Sequence, residues 1–256
     1  MSVKAKKHLG QHFLTDENIA RKIVEGLSNT GYRSVIEVGP GMGVLTKYLL
    51  EQDITLYLAE IDAESIQYLK DHYSQITDKT FTGDFLKTDF SFVGDGEIAV
   101  IGNFPYNISS QILFKILDYQ EIIPEMVGMF QKEVAERTAA VPRTKSYGIL
   151  SVLVQAYYDV TYLFTVHENV FNPPPKVKSG VIRLSRNVKA GLEGHEKLFE
   201  KIVKAGFNQR RKKLSNALKT LGIPAVLSGH PFLDKRAEEL SVQDFISFTC
   251  EWAAAL

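Results

Sequence analysis

Three short stretches of this chain carry residue types that suit the binding of a nucleoside. Glu37-Val38-Gly39-Pro40-Gly41-Met42-Gly43 sets three glycines between an apolar run and a helical one. There the bare backbone can approach a ligand closely, and the helix N-terminus beyond it attracts negative charge. Glu60 closes the next apolar run, where a carboxylate can accept both hydroxyl hydrogens of a ribose. Asp84, in Gly83-Asp84-Phe85, stands after a third run and suits an adenine amine. Each stretch alone has a plainer reading: a tightly packed turn, a solvated strand end, an ordinary turn aspartate. In this order they point to a cofactor that carries a nucleoside.

A fourth stretch separates a nicotinamide enzyme, which also uses glycines followed by an acid, from another chemistry. Ile101-Gly102-Asn103-Phe104-Pro105-Tyr106 offers an amide, a proline-restricted carbonyl and an aromatic ring in sequence. An amine attached to an aromatic ring is a poor nucleophile, because its lone pair is delocalised into the ring. A site that methylates such an amine needs neutral acceptors for its two hydrogens. The Asn103 side chain and the Phe104 backbone carbonyl supply two, and Tyr106 suits stacking on the base. A proline turn with an aromatic plug is the plainer alternative. No Lys, Tyr or His pattern of a dehydrogenase can be placed.

These stretches need a scaffold that brings strand ends together, and the pattern supplies one. Val35–Val38, Leu56–Glu60, Thr80–Thr82, Ile98–Ile101 and Met126–Phe130 read as strands. Helices fit after the glycines to Leu50, over Ala63–His72 and over Ser109–Leu117. Strands spaced by helices imply an α/β, doubly wound parallel sheet. Leu150–Tyr162 and Val177–Leu184 read as a further strand pair at a sheet edge, joined by the turn-rich Phe171-Asn172-Pro173-Pro174-Pro175. The polar, glycine-bearing stretch from Asn187 to Gly194 suggests a boundary, giving a domain over 1–187 and a small helical one over 188–256. In the second, helices are expected over Glu196–Gly206, Arg211–Leu221, near Asp234–Glu239 and over Val242–Ala254.

With 256 residues, 45% hydrophobic, the chain can bury a substantial core. One cysteine, Cys250, makes no internal disulfide and fits a reducing, cytoplasmic setting. No apolar run reaches the roughly 20 residues of a membrane span, and no signal peptide follows the N-terminal lysines; no membrane association is expected. The net charge is zero, yet Lys201–Leu233 holds seven basic residues and no acid. Within it, Arg210, Arg211, Lys212 and Lys213 are candidates for phosphate contacts, as an alternative to a solvated helix face.

Taken together, the stretches resemble the KsgA family of small-subunit rRNA adenine dimethyltransferases along nearly the whole chain. The matching segments are Gly10–Leu14, Glu37–Gly43, Glu60-Ile61-Asp62, Gly83-Asp84 and Asn103–Ser109. Gln131–Val134, Tyr147-Gly148, Phe171–Val177 and Phe207–Lys212 continue the series. The resemblance implies a Rossmann-like methyltransferase domain with a small helical C-terminal domain, and S-adenosylmethionine as methyl donor without a metal. It places cofactor contacts at His12, Leu14, Gly39, Gly41, Glu60, Asp84 and Asn103. It assigns catalysis to Asn103, Phe104, Pro105 and Tyr106, with the flipped base between Tyr106 and Phe171. Phe171, ahead of three prolines, suits a core anchor equally well. The chain departs from the family at His12, where many members have Asn, and at Phe104, where Leu is usual. The implied product is N6,N6-dimethyladenosine at two adjacent adenosines near the 3′ end of 16S rRNA, made by a monomer acting on the small subunit. Two other readings stay open: an Erm-type enzyme acting on large-subunit rRNA, and a non-catalytic RNA-binding assembly factor.

Overall fold

A computed structural model describes residues 3–187, 191–192 and 194–256. In chain order the elements are β1 (Phe13–Leu14), α1 (Glu17–Val24), β2 (Ser34–Val38), α2 (Thr46–Leu49), β3 (Thr55–Ala59), α3 (Ala63–His72), β4 (Ile98–Asn103) and α4 (Ser109–Asp118). There follow β5 (Glu125–Gln131), α5 (Lys132–Thr138), α6 (Ile149–Tyr157), β6 (Tyr158–Val166), β7 (Phe171–Asn172) and β8 (Ser179–Arg186). The chain then runs through α7 (Glu196–Asn208), α8 (Leu214–Ala217) and α9 (Val242–Ala254).

Six strands form one sheet in the order β3-β2-β4-β5-β8-β6, and β1 pairs with β7 apart from it. The neighbours β3-β2, β2-β4 and β4-β5 are parallel, and β8 runs antiparallel to β5. The chain therefore leaves β2 toward β3 on one side and returns to β4 on the other. This reversal opens a crevice beyond the carboxyl ends of β2 and β4, the place where open α/β sheets take ligands. Val35, Ala99, Ile101, Val127 and Val181 from the strands pack with Ile23, Val24, Leu45 and Leu49 from the helices in one buried cluster. Sequence signals fix the helix starts. The Asp16 side chain accepts the Asn18 and Ile19 N–H groups ahead of α1. Asp62 accepts the Glu64 N–H ahead of α3, and Ser241 and Asp244 cap α9 reciprocally.

The chain separates into two compact units: Met1–Ala135 with Thr161–Arg186, and Glu136–Val160 with Asn187–Leu256. The second therefore takes in Glu136–Val160 as well as the segment beyond 187. Within it, α7 packs on α6 and α9, burying Phe199, Phe245, Phe248 and Trp252.

Several elements depart from the sequence reading. Leu150–Tyr157, expected as strand, lies in the helix α6. The run is apolar apart from Ser151 and Gln155, and so short a run does not separate a buried helix from a buried strand by periodicity. Only from Tyr158 does the segment become strand, and it then lies beside β8 at the sheet edge. Thr80–Thr82 makes a single parallel bridge, Leu58 with Phe81, in place of a strand. The helix α1 is absent from the sequence reading. Arg211–Leu221 is not one helix: a turn over Arg210–Lys213 precedes the four-residue α8 and a 3-10 turn, Lys219–Leu221. Between Asp234 and Glu239 there are only short 3-10 turns.

Candidate active site

Beyond the carboxyl ends of β2, β3 and β4 lies a cleft lined by Gly39, Gly41, Glu60, Ile61, Asp84 and the stretch Asn103–Ile108, with His8–Phe13 over it. Gly39 and Gly41 both have positive φ, +68° and +56°, a conformation that costs a side-chain-bearing residue about 1–2 kcal/mol. A Cβ on Gly41 would come within 2.8 Å of the Phe13 ring, so this glycine is held by close approach as well as by φ. On the opposite lip a Cβ at Gly83 would meet nothing within 4 Å, which leaves an open cradle beside Asp84.

Glu60 is 6% exposed. One carboxylate oxygen accepts the Ile61 and Asp62 N–H groups at 2.8 and 2.9 Å, and the other accepts the Gly41 N–H at 3.3 Å. Burial pushes its pKa up, and the three N–H donors pull it back. Two carboxylate oxygens offer about four acceptor positions, so one is left for a ribose hydroxyl. Asp84 accepts the Leu86 N–H at 3.0 Å and lies 3.5 Å from the Lys87 ammonium, with its side chain at the cleft. The donors and acceptors therefore fit a nucleoside-bearing cofactor.

Asn103, at the end of β4, donates from Nδ2 to the His12 carbonyl at 2.8 Å. That bond aims the two amide hydrogens at the N-terminal segment and leaves Oδ1 as the acceptor. The Phe104 ring is fully buried, 4.9 Å from the Phe130 ring. It fits because Gly102 and Gly128 lack side chains: a Cβ on Gly128 would lie 2.0 Å from the Phe104 ring. The larger ring at this position is thus accommodated by a neighbouring strand, while its backbone stays at the cleft. Tyr106 shares a hydrogen bond of 2.5 Å with the Ser179 hydroxyl at the start of β8, and burial raises its pKa. Its ring stacks on His12, with centroids 5.4 Å apart and planes at 28°. The His12 Nδ1 lies 2.8 Å from the Pro173 carbonyl; since a carbonyl only accepts, Nδ1 carries the proton.

The structure thus brings His12, Gly39, Gly41, Glu60, Asp84, Asn103, Phe104, Pro105 and Tyr106 to one cleft. Two other expected residues lie elsewhere. Leu14 is 4% exposed in the core and borders a smaller cavity behind the glycine turn. Phe171 is 4% exposed, packed in the same core, and pairs its backbone with Leu14. Its ring is a core anchor here, because the β1–β7 pairing draws this segment inward. Arg210 also differs from expectation. Its guanidinium donates to Glu238 at 2.5 Å and to the Thr144 and Lys145 carbonyls at 3.0 Å. Lys213 pairs with Asp234 at 2.9 Å. Arg211 and Lys212 are exposed, with no side-chain partner among the described residues.

Sequence reasoning missed the residues that hold the cleft's cover. The Lys6 ammonium bonds Asp62 at 2.5 Å, the Gln11 amide bonds the other Asp62 oxygen at 3.2 Å, and the Lys6 N–H bonds Gln11. The sequence suggests Lys6, with Lys4 and Lys7, as a phosphate contact; in the structure its ammonium is paired with Asp62 and Glu64 instead, a partnership nothing local to Lys6 names. Glu37 enters the sequence reading only as part of the glycine motif. It is fully buried, accepts the Thr46 hydroxyl at 2.7 Å, and burial pushes its pKa up to about 8. Among the described residues, no group of three or more His, Cys, Asp or Glu side chains is arranged to hold a metal ion. No helix there is long and apolar enough to cross a membrane.

A family model described as ribosomal RNA adenine dimethylase matches residues 2–251. A protein of Cytophaga hutchinsonii named ribosomal RNA small subunit methyltransferase A is 59% identical over 249 residues, 96% of each chain. A protein of the same name from Flavobacterium johnsoniae is 56% identical over 248 residues, covering 96% of this chain and 95% of the relative. Among solved structures, a dimethyladenosine transferase from Plasmodium falciparum superimposes with a TM-score of 0.80 at 25% identity, over 95% of this chain and 98% of the other. The 23S rRNA methyltransferase ErmE superimposes with a TM-score of 0.67 at 24% identity, over 92% and 98%, a likeness of fold alone.

Proposed function

The chain belongs to the ribosomal RNA adenine dimethylase family, and from that premise we propose how its residues carry out S-adenosylmethionine-dependent methylation of rRNA adenines. The substrate is the small subunit, and the products are N6,N6-dimethyladenosines at two adjacent positions near the 3′ end of 16S rRNA. The relatives that support this are 56–59% identical along nearly their full length and are named for the small subunit. The large-subunit enzyme shares only the fold.

The observation that carries the reading is the orientation of Asn103. With Nδ2 engaged by the His12 carbonyl, Oδ1 accepts one hydrogen of the adenine amine and the Phe104 carbonyl the other. Both acceptors are neutral and fixed before the substrate arrives, so the nitrogen lone pair is aimed without a general base. Tyr106, tied to Ser179, supplies the ring on which the base stacks. Glu60 accepts from a ribose hydroxyl of the methyl donor, and Asp84 from its adenine amine. When bound, S-adenosylmethionine supplies an electrophilic methyl group on a sulfonium. The proton leaves after the nitrogen has gained the methyl and become more acidic. The monomethyl amine keeps a single N–H, which one of the two acceptors holds, so the second methylation also needs a pocket with room for the first methyl group; each released proton passes to solvent. The reading has the protein work as a cytoplasmic monomer without a metal, its 1–187 segment catalytic and its 188–256 segment bound to RNA.

The test is incubation with labelled S-adenosylmethionine and unmethylated small subunits, followed by nucleoside analysis. Dimethyladenosine in the small-subunit RNA is expected. Asn103→Ala should leave cofactor binding partly intact and lose single-turnover methylation. Tyr106→Ala should weaken base positioning by roughly 1–3 kcal/mol. Tight NAD binding without S-adenosylmethionine binding, or wild-type turnover in Asn103→Ala, would overturn the assignment.

A further inference from the structure

The Arg210 side chain, engaged by Glu238 and by two carbonyls, braces a loop from the other end of its own unit. Residues 139–148 join α5 to α6 and are fixed at both ends. The Gln155 amide donates to the Thr138 and Ala140 carbonyls at 2.8 Å. At the other end buried Tyr147 donates its hydroxyl to the Leu240 carbonyl at 3.0 Å. Between these anchors the Arg210 guanidinium spans the Thr144 and Lys145 carbonyls, and the Arg143 N–H bonds the Glu238 carbonyl at 2.8 Å. The loop therefore lies directly against the turn that holds Arg210–Lys213, and both belong to the second compact unit.

Arg143 sits at φ +67°. Glycine adopts this conformation freely, whereas a residue with a Cβ gives up about 1–2 kcal/mol. Arg143 thus holds, with its side chain exposed, a backbone position that glycine would fill at lower cost. The side chains of Arg143, Lys145, Arg211 and Lys212 are all exposed and have no partner among the described residues. The neighbouring acids are taken: Glu238 by Arg210 and Asp234 by Lys213. Four exposed cations on a hydrogen-bonded backbone, one of them at positive φ, make a surface suited to a polyanion.

We propose that Arg143 and Lys145 of this loop form, with Arg211 and Lys212, one surface that binds ribosomal RNA phosphates, and that Arg210 is its internal bracket rather than a phosphate ligand. The inference rests on the rRNA-methylating function but adds a second chain segment to the RNA-binding surface and reassigns one residue of the first. Phosphate-binding side chains set position and affinity and carry no base information. Removing one cation from a phosphate lowers the slope of log affinity against log salt by roughly 0.7–0.9.

The test measures binding of unmethylated small subunits across a salt series for wild type, the double variant R143A/K145A, the double variant R211A/K212A, and R210K. Thermal unfolding and S-adenosylmethionine affinity are measured alongside. Both double variants should lower the slope by about 1–2 while leaving Tm and cofactor affinity unchanged. R210K keeps the charge but loses the fork that spans two carbonyls, so it should lower Tm and keep the salt slope. An unchanged slope in R143A/K145A beside a reduced one in R211A/K212A would overturn the role of the loop. A reduced slope in R210K with an unchanged Tm would overturn the bracket. Failure of the wild type to bind subunits at any salt would instead strike the rRNA reading beneath the proposal.

Discussion

Glu37 offers a sharp test of the physics under the glycine turn. Its carboxyl lies at the end of β2, 1% exposed, with the Thr46 hydroxyl donating to it and the Glu60 charge nearby. Burial pushes its pKa from the ordinary 4.5 up to about 8, and Glu60 adds to the rise while Thr46 opposes it. At 1.36 kcal/mol per pH unit the difference amounts to roughly 5 kcal/mol. Between the two values the folded chain holds a proton that the unfolded chain has released, so stability falls as pH rises. The fall begins near the unfolded value and is complete above about 8. Most other titrations are shared with Glu37→Gln, which is neutral throughout and can still accept from Thr46. The stability of wild type relative to this variant should therefore drop by roughly 2 kcal/mol between pH of about 6 and about 8. Urea unfolding at several pH values, with the slope against denaturant checked for constancy, reads this directly. Parallel stability curves for the two proteins would refute the reasoning, because they would mean that Glu37 is ionised when folded.

Two further outcomes follow from the same cleft. Glu60→Ala strands the N–H groups of Gly41, Ile61 and Asp62; it should cost about 1–3 kcal/mol of stability and weaken cofactor binding by a similar amount, measured by unfolding and calorimetry. Gly128→Ala drives a methyl group into the Phe104 ring, an overpacking cost of about 1–3 kcal/mol that should also displace the Asn103–Tyr106 stretch and slow methyl transfer. Adding Phe104→Leu to Gly128→Ala should restore both Tm and rate, and a double variant no better than the single would show that the ring does not transmit the strain.

What the residues make legible is what short-range chemistry determines. Asp62 and the Ser241–Asp244 pair mark the starts of α3 and α9 because their side chains satisfy N–H groups only two or three residues away. The parallel strands are legible because each is apolar and ends at a turn. The helix α1 carries the same kind of signal, Asp16 ahead of Ile19, Ile23 and Val24, and is legible in principle. The stretch Leu150–Tyr157 is not, since it is mostly buried and its only polar signal is the spacing of Ser151 and Gln155, too little to name a helix in so short a run. Arg210 and Phe171 illustrate the harder limit. Whether an arginine meets phosphate or a pair of carbonyls, and whether a phenylalanine meets a base or a core, depends on segments far along the chain. Arg210 is decided by Thr144 and Lys145, and Phe171 by the pairing of β7 with β1.

The N-terminal segment shows why distant pairings matter for chemistry as well as for fold. His12 touches three parts of the site at once: its carbonyl accepts from Asn103, its ring lies on Tyr106, and its Nδ1–H meets the Pro173 carbonyl. Lys6 and Gln11, on the same segment, are tied to Asp62, whose N–H is held by Glu60. The residues assigned to the cofactor and those assigned to the base are therefore joined through one short strap. A hydrogen-bonded amide such as Asn103 has two orientations of nearly equal shape, and only one presents an acceptor to the cleft. A carbonyl facing the amide selects that orientation, because the reverse would set two oxygens against each other. Positioning of the amine thus begins in the backbone at His12, and a side chain there that could no longer hold Pro173 would loosen the carbonyl on which Asn103 depends.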